Sequence, residues 1–202
     1  RSLFDLIIKS FVLAIFVIAC ITSSSDLSKD KVIDTFKSVT NFHQQSIQEL
    51  AKEQVEIVRV VDGDTVVVKF NDGTTEKVRM LLVDTPESVH PTKGSQPFGK
   101  EASDYTKKML AEGKKVTLEI GNPERDKYNR LLGYIWVDGI NFNKKLIEKG
   151  YARVAYVEPP NTKYLDEFHE AQEQAKKQKL RIWSIPGYVT DRGFSENSSS
   201  QK

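Results

Sequence analysis

An α+β fold in which β-structure predominates is predicted by three features of the sequence. Five short runs of β-branched and apolar residues are bounded by turn residues, and three segments have helical spacing. The 202 residues are 39% hydrophobic and 29% charged, a composition that excludes a disordered chain, a collagen and a polytopic membrane protein. The single cysteine excludes a disulfide framework, and 30 Lys and Arg against 28 Asp and Glu give no strong overall field that would by itself point to nucleic acid or a membrane as partner.

Residues 1–20 are predicted to be an export signal. The unbroken apolar run Phe11–Ala19 is shorter than the roughly 20 residues that span a membrane, and Lys9 precedes it. A small residue, Ala19, directly precedes Cys20, and this pattern resembles a bacterial lipobox. We therefore expect cleavage before Cys20 and a lipid anchor on Cys20. The mature chain would then lie outside a bacterial cell or on the outer face of its membrane. A free cysteine in an ordinary signal peptide, or an uncleaved anchor, is the alternative.

The chain on either side of the folding domain is predicted to be less ordered. Residues 21–54 are expected to form a polar, partly helical tether, because apolar side chains recur at helical spacing from Val32 to Phe42. Residues 185–202 contain Ser, Asn and Gly without apolar periodicity, which predicts a disordered tail. The folding domain is therefore expected to occupy residues 55–184.

The first three strands are predicted from β-branched runs and the turns between them. Val55–Val61 and Thr65–Phe70 are joined by the tight corner Asp62-Gly63-Asp64. Asn71-Asp72-Gly73 is a hairpin turn, since these residues tolerate the positive φ that such turns demand, and the strand Glu76–Val83 follows it.

The second half of the domain is predicted to be richer in helix. A loop of Pro and Gly leads to a helix over Gly99–Glu112, which Gly113 ends, and the strands Lys115–Ile120 and Leu131–Val137 follow. Asn143 is the predicted N-cap of a second helix. The third helix is amphipathic and runs through Leu165, Phe168, Ala171 and Ala175.

Five short strands with few inserted helices favour a small closed β-barrel of the OB type. A two-layer α+β sandwich has the same number of strands, so the strand count leaves both architectures open.

Three short polar segments hold the residues that could carry chemistry. They are Asp62–Thr65, Arg79–Glu87 and Glu124–Arg130. The first has the composition of a simple turn, and Arg79 with Glu87 could form a structural ion pair. Arg79 nevertheless stands inside an apolar strand, where a charge is costly unless it is paired or binds an anion.

Together these segments contain the groups that phosphodiester hydrolysis needs. Asp64 and Asp84 supply hard oxygen ligands that suit calcium or magnesium and not zinc. Glu87 is a carboxylate able to take a proton from water. Arg79 and Arg130 can clamp an oxyanion with two hydrogen bonds each and stabilise the charge of a pentacovalent transition state.

The same segments resemble the three signatures of the staphylococcal nuclease (thermonuclease) family. The similarity extends from about Glu56 to Trp183, and matches in order and spacing are more specific than any single motif. The resemblance implies a five-stranded OB-fold barrel with three helices. It also implies a Ca²⁺-dependent, sugar-nonspecific nuclease that cleaves DNA and RNA at the 5′-oxygen and leaves 3′-phosphate ends.

The resemblance further implies a role for each matching residue. Asp64 and Asp84 would bind calcium through their side chains, and Thr85 through its main-chain carbonyl. Glu87 would act as the general base or orient the attacking water. Arg79 and Arg130 would bind the phosphate and stabilise the transition state from opposite sides. The residues that would contact substrate are Lys93, Lys127, Tyr128 and Tyr156.

One alternative from another class is a catalytically weak module that binds nucleic acid or protein on the same barrel. A binding module has no need for Asp64, Arg79, Asp84, Glu87 and Arg130 together, so their joint presence favours the nuclease. The family commonly has glycine at the position of Asn129, and Asn also tolerates positive φ. We expect a monomer, because the sequence has no evident exposed apolar stripe.

Overall fold

The computed structural model describes residues 33, 34, 37, 38, 40, 52–88 and 95–195. The chain divides into two units, Arg1–Ala51 and Lys52–Lys202. The described residues of the first unit are helical, whereas the predicted export signal and Cys20 lie outside the described residues. Within the described ranges no helix is both long enough and apolar enough to cross a membrane. The fold below is that of the second unit.

A closed five-stranded barrel forms the centre of the second unit, as the sequence predicted. Its strands follow the order β3-β2-β1-β5-β6, and β3 returns to pair with β6, which closes the sheet. All neighbours are antiparallel except β3 and β6, which are parallel. The strands are β1 (Lys52–Asp62), β2 (Thr65–Lys69), β3 (Thr75–Met80), β5 (Lys115–Arg125) and β6 (Leu131–Val137). The alternative two-layer sandwich is thereby excluded.

The third predicted strand is interrupted, and the interruption shapes the site described below. Leu82 has a φ of 61°, a left-handed conformation that is rare for a bulky side chain. The chain turns there and resumes as β4 (Val83–Asp84), which leaves the barrel and pairs antiparallel with β8 (Arg153–Val154). β7 (Ile140–Asn141) extends the barrel sheet beyond β6.

Three helices pack around the barrel within the described part of the chain: α1 (Gly99–Met109), α2 (Phe142–Glu148) and α3 (Leu165–Lys177). The predicted end of α1 was wrong by three residues. Gly113 instead forms the turn into β5, where its amide donates to the Ile57 carbonyl at 2.8 Å. Ala102, Phe142 and Phe168 bring the buried faces of the three helices into one core with the strands.

The N-cap of α2 was also predicted wrongly. Asn141 is the cap, and its side chain accepts a hydrogen bond from the Lys144 amide. Asn143 is fully buried inside the first turn of the helix. Its side-chain oxygen accepts from the Ile135 amide at 3.0 Å, and its amide group donates to the carbonyls of Leu81 and Gly133 at 3.0 and 3.2 Å. Asn143 therefore links the helix to the interrupted strand and to β6.

Ordered structure also continues beyond the predicted end of the domain, so the predicted tail, 185–202, begins too early. A 3₁₀ turn (Arg181–Ser184) leads into β9 (Val189–Thr190) and β10 (Gly193–Phe194), which pair as a hairpin. Tyr188 is completely buried. The error arose because two-residue strands are too short to produce a periodic apolar pattern.

We expect Asn143→Ala to destabilise the protein by about 2–4 kcal/mol, because each buried hydrogen-bonding group left without a partner costs about 1–3 kcal/mol. Urea unfolding followed by circular dichroism measures the change.

The matched control is Lys144→Ala on the same helix. It removes an ion pair between Lys144 and Glu167 at 3.1 Å, in which Glu167 is exposed and Lys144 is partly exposed. Ion pairs at the surface contribute at most about 1 kcal/mol to the free energy of unfolding. Equal losses in the two variants would contradict the role given to Asn143.

Candidate active site

A hydrogen bond from α1 holds the corner between β1 and β2 in place. The Thr106 hydroxyl donates to the Gly63 carbonyl at 2.7 Å, and Thr106 is fully buried. A Cβ atom at Gly63 would lie 2.7 Å from the Thr85 side-chain oxygen, so the corner and the segment after β4 meet only because position 63 is glycine. The backbone that carries Asp62 and Asp64 is therefore fixed.

Asp64 is buried and takes hydrogen bonds on both of its oxygens. Oδ1 accepts from the Thr65 hydroxyl at 2.9 Å. Oδ2 accepts from the Thr85 amide at 3.0 Å and from the Thr85 hydroxyl at 3.1 Å. These contacts hold the end of β4 against the β1–β2 corner and orient the Asp64 carboxylate.

The guanidinium of Arg79, on β3, is nearly enclosed. Its NH1 donates to the main-chain carbonyls of Met80 and Val83 at 3.0 and 2.8 Å. Its NH2 lies 3.1 Å from Asp64 Oδ2 and 3.7 Å from Asp84 Oδ1. The ion pair considered from the sequence, Arg79 with Glu87, is thus replaced by pairs with the two aspartates. A buried guanidinium requires this full set of partners because desolvation of an unpaired charge is costly.

Asp84 ends β4 and lies directly opposite Arg153 across the β4–β8 pair. Arg153 Nε donates to Asp84 Oδ2 at 2.9 Å. Burial raises the pKa of Asp84 above its ordinary value; Arg153 and Arg79 oppose that rise, and the nearby Asp64 carboxylate adds to it. Arg153 therefore occupies one oxygen of Asp84, while the other faces Arg79.

Glu87 lies beyond β4, at the surface, and its main chain is clamped. Its amide donates to the Gln96 side-chain oxygen at 2.8 Å, and its carbonyl accepts from the Gln96 amide at 2.9 Å. Gly99, at the start of α1, packs so closely against the Glu87 carbonyl that no Cβ fits there. Gln96 thus ties Glu87 to the segment that leads into α1.

Negative charge accumulates around the Glu87 side chain. Partial desolvation, followed by the charge of Asp62 and a hydrogen bond with it, raises the pKa of Glu87 to about 7. Asp64 and Asp84 raise it further. Three other carboxyl groups therefore lie close enough to Glu87 to disfavour its charged form.

Arg130 precedes β6 and is held by Asp126. Arg130 Nε and NH2 both lie 2.7 Å from Asp126 Oδ2, while Asp126 Oδ1 accepts from the amides of Tyr128 and Arg130 at 2.9 Å. Partial burial acts to raise the pKa of Asp126, but these hydrogen bonds outweigh it and hold the pKa below its ordinary value. Asn129 has a φ of 61°, which completes the turn.

The predicted substrate-contacting aromatics lie beside the arginines. Tyr128 is 69% exposed, with its ring centroid 5.4 Å from Arg130 and 5.1 Å from Lys127. Tyr156 is 62% exposed, with its ring centroid 5.2 Å from Arg79. Each arginine is thus accompanied by an exposed aromatic face. Lys93 lies outside the described residues.

The parallel pairing of β3 with β6 connects the two groups of residues. Arg79 pairs with Leu132, and Arg130 comes two residues before Leu132. Arg130 itself lies in the turn directly before β6, the strand that pairs with β3. The structure therefore brings Asp64, Arg79, Asp84, Thr85 and Glu87 into direct proximity, and the turn before the neighbouring strand carries Arg130.

The donor chemistry of Asp64 and Asp84 suits a calcium ion, because carboxylate oxygens are the ligands that hard cations prefer. Within the described ranges no group of three or more His, Cys, Asp or Glu side chains is placed to hold a metal ion. Since calcium takes about six to eight oxygen ligands, main-chain carbonyls such as that of Thr85, together with water, would complete its shell.

Three contributors were not predicted from the sequence: Asp126, Arg153 and Gln96. Asp126 had a local signal, because an acid four residues before Arg130 in a turn can hold both its amide and its side chain. Arg153 and Gln96 had no such local signal, because only the folded structure brings them to their partners, Asp84 and Glu87.

Comparison with known proteins adds independent observations. The family model described as "Staphylococcal nuclease homologue" matches residues 77–185. The chain is 49% identical over 147 residues to the SPβ prophage-derived endonuclease YokF of Bacillus subtilis, covering 71% of this chain and 49% of that protein. The chain thus spans about half the length of that relative.

Two further relatives are matched over most of their length. Endonuclease YncB of Bacillus subtilis is 43% identical over 173 residues, which is 85% of this chain and 80% of that protein. The thermonuclease of Staphylococcus hyicus is 43% identical over 143 residues, which is 71% of this chain and 83% of that protein. With its closed barrel and with these matches, the chain belongs to the staphylococcal nuclease family of phosphodiester hydrolases.

Proposed function

We propose that this protein is a Ca²⁺-dependent, sugar-nonspecific nuclease. It hydrolyses DNA and RNA at the 5′-oxygen, leaves 3′-phosphate products and acts as a monomer. The observation that carries the proposal is the buried Arg79 guanidinium, 3.1 Å from Asp64 and 3.7 Å from Asp84, beside a Glu87 carboxyl with a raised pKa. One region of the surface therefore contains candidates for three functions: a cation site, a general base and a phosphate-binding group.

Arg79 is suited to bind a phosphate while it stays anchored. Within the described part of the chain its hydrogen bonds use NH1 and NH2, which leaves the Nε–H for an anion. The exposed Tyr156 ring lies against its guanidinium. A phosphodiester that enters over Tyr156 would meet Arg79 without displacing its structural partners.

Glu87 is suited to accept a proton from water. It lies at the surface, and Gln96 fixes its main chain. A raised pKa brings a carboxylate closer to the operating pH, which improves proton transfer. A calcium ion held by Asp64, Asp84 and the Thr85 carbonyl would supply positive charge against the anionic phosphate.

Arg130 is suited to stabilise charge on the departing oxygen. Asp126 fixes its Nε edge and orients the guanidinium before substrate arrives, so little reorganisation is needed in the transition state. Tyr128 and Lys127 lie next to Arg130 and could contact a neighbouring phosphate or sugar.

The direct test is digestion of supercoiled plasmid and of single-stranded RNA by the purified protein. Both substrates should be degraded at millimolar calcium and stay intact with excess chelator. Products should carry 3′-phosphates, which phosphorus NMR of the digest identifies. Intact substrate at millimolar calcium would refute the nuclease and favour the binding-module alternative, which a filter-binding assay then measures.

Arg130→Lys and Arg125→Lys form a matched pair in this assay. Both arginines hold a carboxylate at the ends of the same turn, but Arg125 pairs with Glu76, away from the acidic cluster. Arg130→Lys should lower kcat by about 10²-fold, since lysine cannot reproduce the two-pronged geometry. Arg125→Lys should keep wild-type kcat; equal effects would remove Arg130 from the mechanism.

Glu87→Gln should lose activity and gain stability. A carboxyl whose pKa rises from 4.5 to about 7 on folding destabilises the folded state when ionised. That cost is absent below about pH 4.5 and fully present above about pH 7. In chelator, the Tm of Glu87→Gln should therefore exceed that of wild type at pH 8 and match it near pH 4.5.

The control for this change is Glu112→Gln, at an exposed site just beyond α1. Its Tm should follow that of wild type at every pH. A Tm difference for Glu87→Gln that is independent of pH would contradict the assignment, as would wild-type turnover of plasmid by that variant.

We further propose that the protein works outside the cell or on the outer face of the bacterial membrane. The apolar run Phe11–Ala19 before Cys20 supports export, and abundant extracellular calcium can fill a site of few protein ligands by mass action. Intact mass of the membrane-extracted protein should show cleavage before Cys20 and a diacylglycerol adduct. A mass that matches unmodified chain would exclude the lipid anchor.

A further inference from the structure

The segment 187–195 is ordered by a small aromatic core of its own. The Tyr188 ring packs against Phe194 with centroids 5.3 Å apart, and the Ser195 amide donates to the Tyr188 carbonyl at 2.7 Å. The strands β9 and β10 close this unit, which we call the C-terminal hairpin. Tyr188 is completely buried, so the segment packs as part of the folded domain.

One link runs from the C-terminal hairpin to Glu87. The Tyr188 hydroxyl donates to the Pro97 carbonyl at 2.7 Å. Pro97 follows Gln96, which pairs with the Glu87 main chain through both its amide and its side chain. The hairpin therefore holds Pro97, and the preceding residue, Gln96, fixes the backbone of Glu87.

A second link runs from the same hairpin to Asp84. Arg153 Nε donates to Asp84 Oδ2 at 2.9 Å. The guanidinium of Arg153 lies 5.9 Å from the ring centroid of Phe194 in the hairpin, and its NH1 donates to the Asp191 carbonyl at 3.4 Å. The Arg153 side chain is only 12% exposed. It is thus enclosed between Asp84 on one side and the hairpin on the other.

We propose that the C-terminal hairpin is a positioning element for the acidic site. Through Arg153 it holds Oδ2 of Asp84, so that Oδ1 stays turned toward Arg79. Through Tyr188 it fixes the main chain at Glu87. The two carboxylates lie three residues apart, and the hairpin is the unit that touches the supports of both. This inference rests on the proposed calcium-dependent activity.

Two truncations of the full chain test the proposal. Deleting residues 187–202 removes Asp191, Arg192, Glu196 and Lys202, so its charge change is zero, and deleting 196–202 is also neutral. Calorimetric titration with calcium should show a Kd about tenfold weaker for the longer deletion and an unchanged Kd for the shorter one. Charge neutrality ensures that a weaker Kd reports geometry and not lost attraction.

Two point variants keep the proposal testable if the longer deletion fails to fold. Phe194→Leu removes the ring beside Arg153 and should weaken calcium binding. Tyr188→Phe removes only the hydroxyl bond to Pro97, so kcat should fall several-fold while KM for DNA stays constant. In chelator, Tyr188→Phe should also speed hydrogen exchange of the Glu87 amide, which a purely global stability change would not do selectively.

The possible results separate the two proposals. Wild-type protein that binds no calcium would overturn the proposed cofactor. Wild-type Kd, kcat and Glu87 exchange in both point variants, or in a folded 187–202 deletion, would overturn the role of the hairpin alone. Weaker calcium binding in the long deletion and in Phe194→Leu, with slower turnover in Tyr188→Phe, supports it.

Discussion

The burial of the Arg79 guanidinium is the constraint on which the rest of the site depends. A guanidinium inside a barrel wall needs partners for its donors, and here two main-chain carbonyls and two aspartates supply them. Asp64 is held in turn by Thr85, and the corner beneath it by Thr106. The acidic site is therefore continuous with the structural core, and its rigidity follows from the cost of leaving a buried charge unpaired.

Closure of the barrel determines where these groups meet. The parallel pairing of β3 and β6 puts Arg79 beside the strand that directly follows Arg130, and the bend at Leu82 carries Asp84 out of the barrel toward β8. Without that bend the third strand would continue along the barrel and Asp84 would lie away from Arg153. A left-handed residue two positions before a candidate ligand agrees with the general concentration of backbone strain at functional sites.

The carboxyl groups of Asp64 and Glu87 lie in different environments. Asp64 is buried, and hydrogen bonds to both of its oxygens fix the orientation of its carboxylate. The Glu87 side chain lies at the surface, yet partial desolvation and the neighbouring carboxylates raise its pKa to about 7. The main chain of Glu87 is clamped, while its side chain remains at the surface. The main chain at Glu87 is thus fixed, whereas the protonation of its side chain can change.

The sequence by itself determined the five barrel strands, the three helices and the residue types of the site, because strand alternation, helical spacing and turn chemistry are local properties. The positive φ of Asn129 was likewise predictable from residue type. Only the tertiary structure decided that Asn143 is a buried link and not a cap, that Arg153 supports Asp84, and that 187–195 is ordered. Each of these includes a partner that lies between 62 and 91 positions away along the chain. Such partners meet only when the barrel closes, so no local pattern in the chain records them.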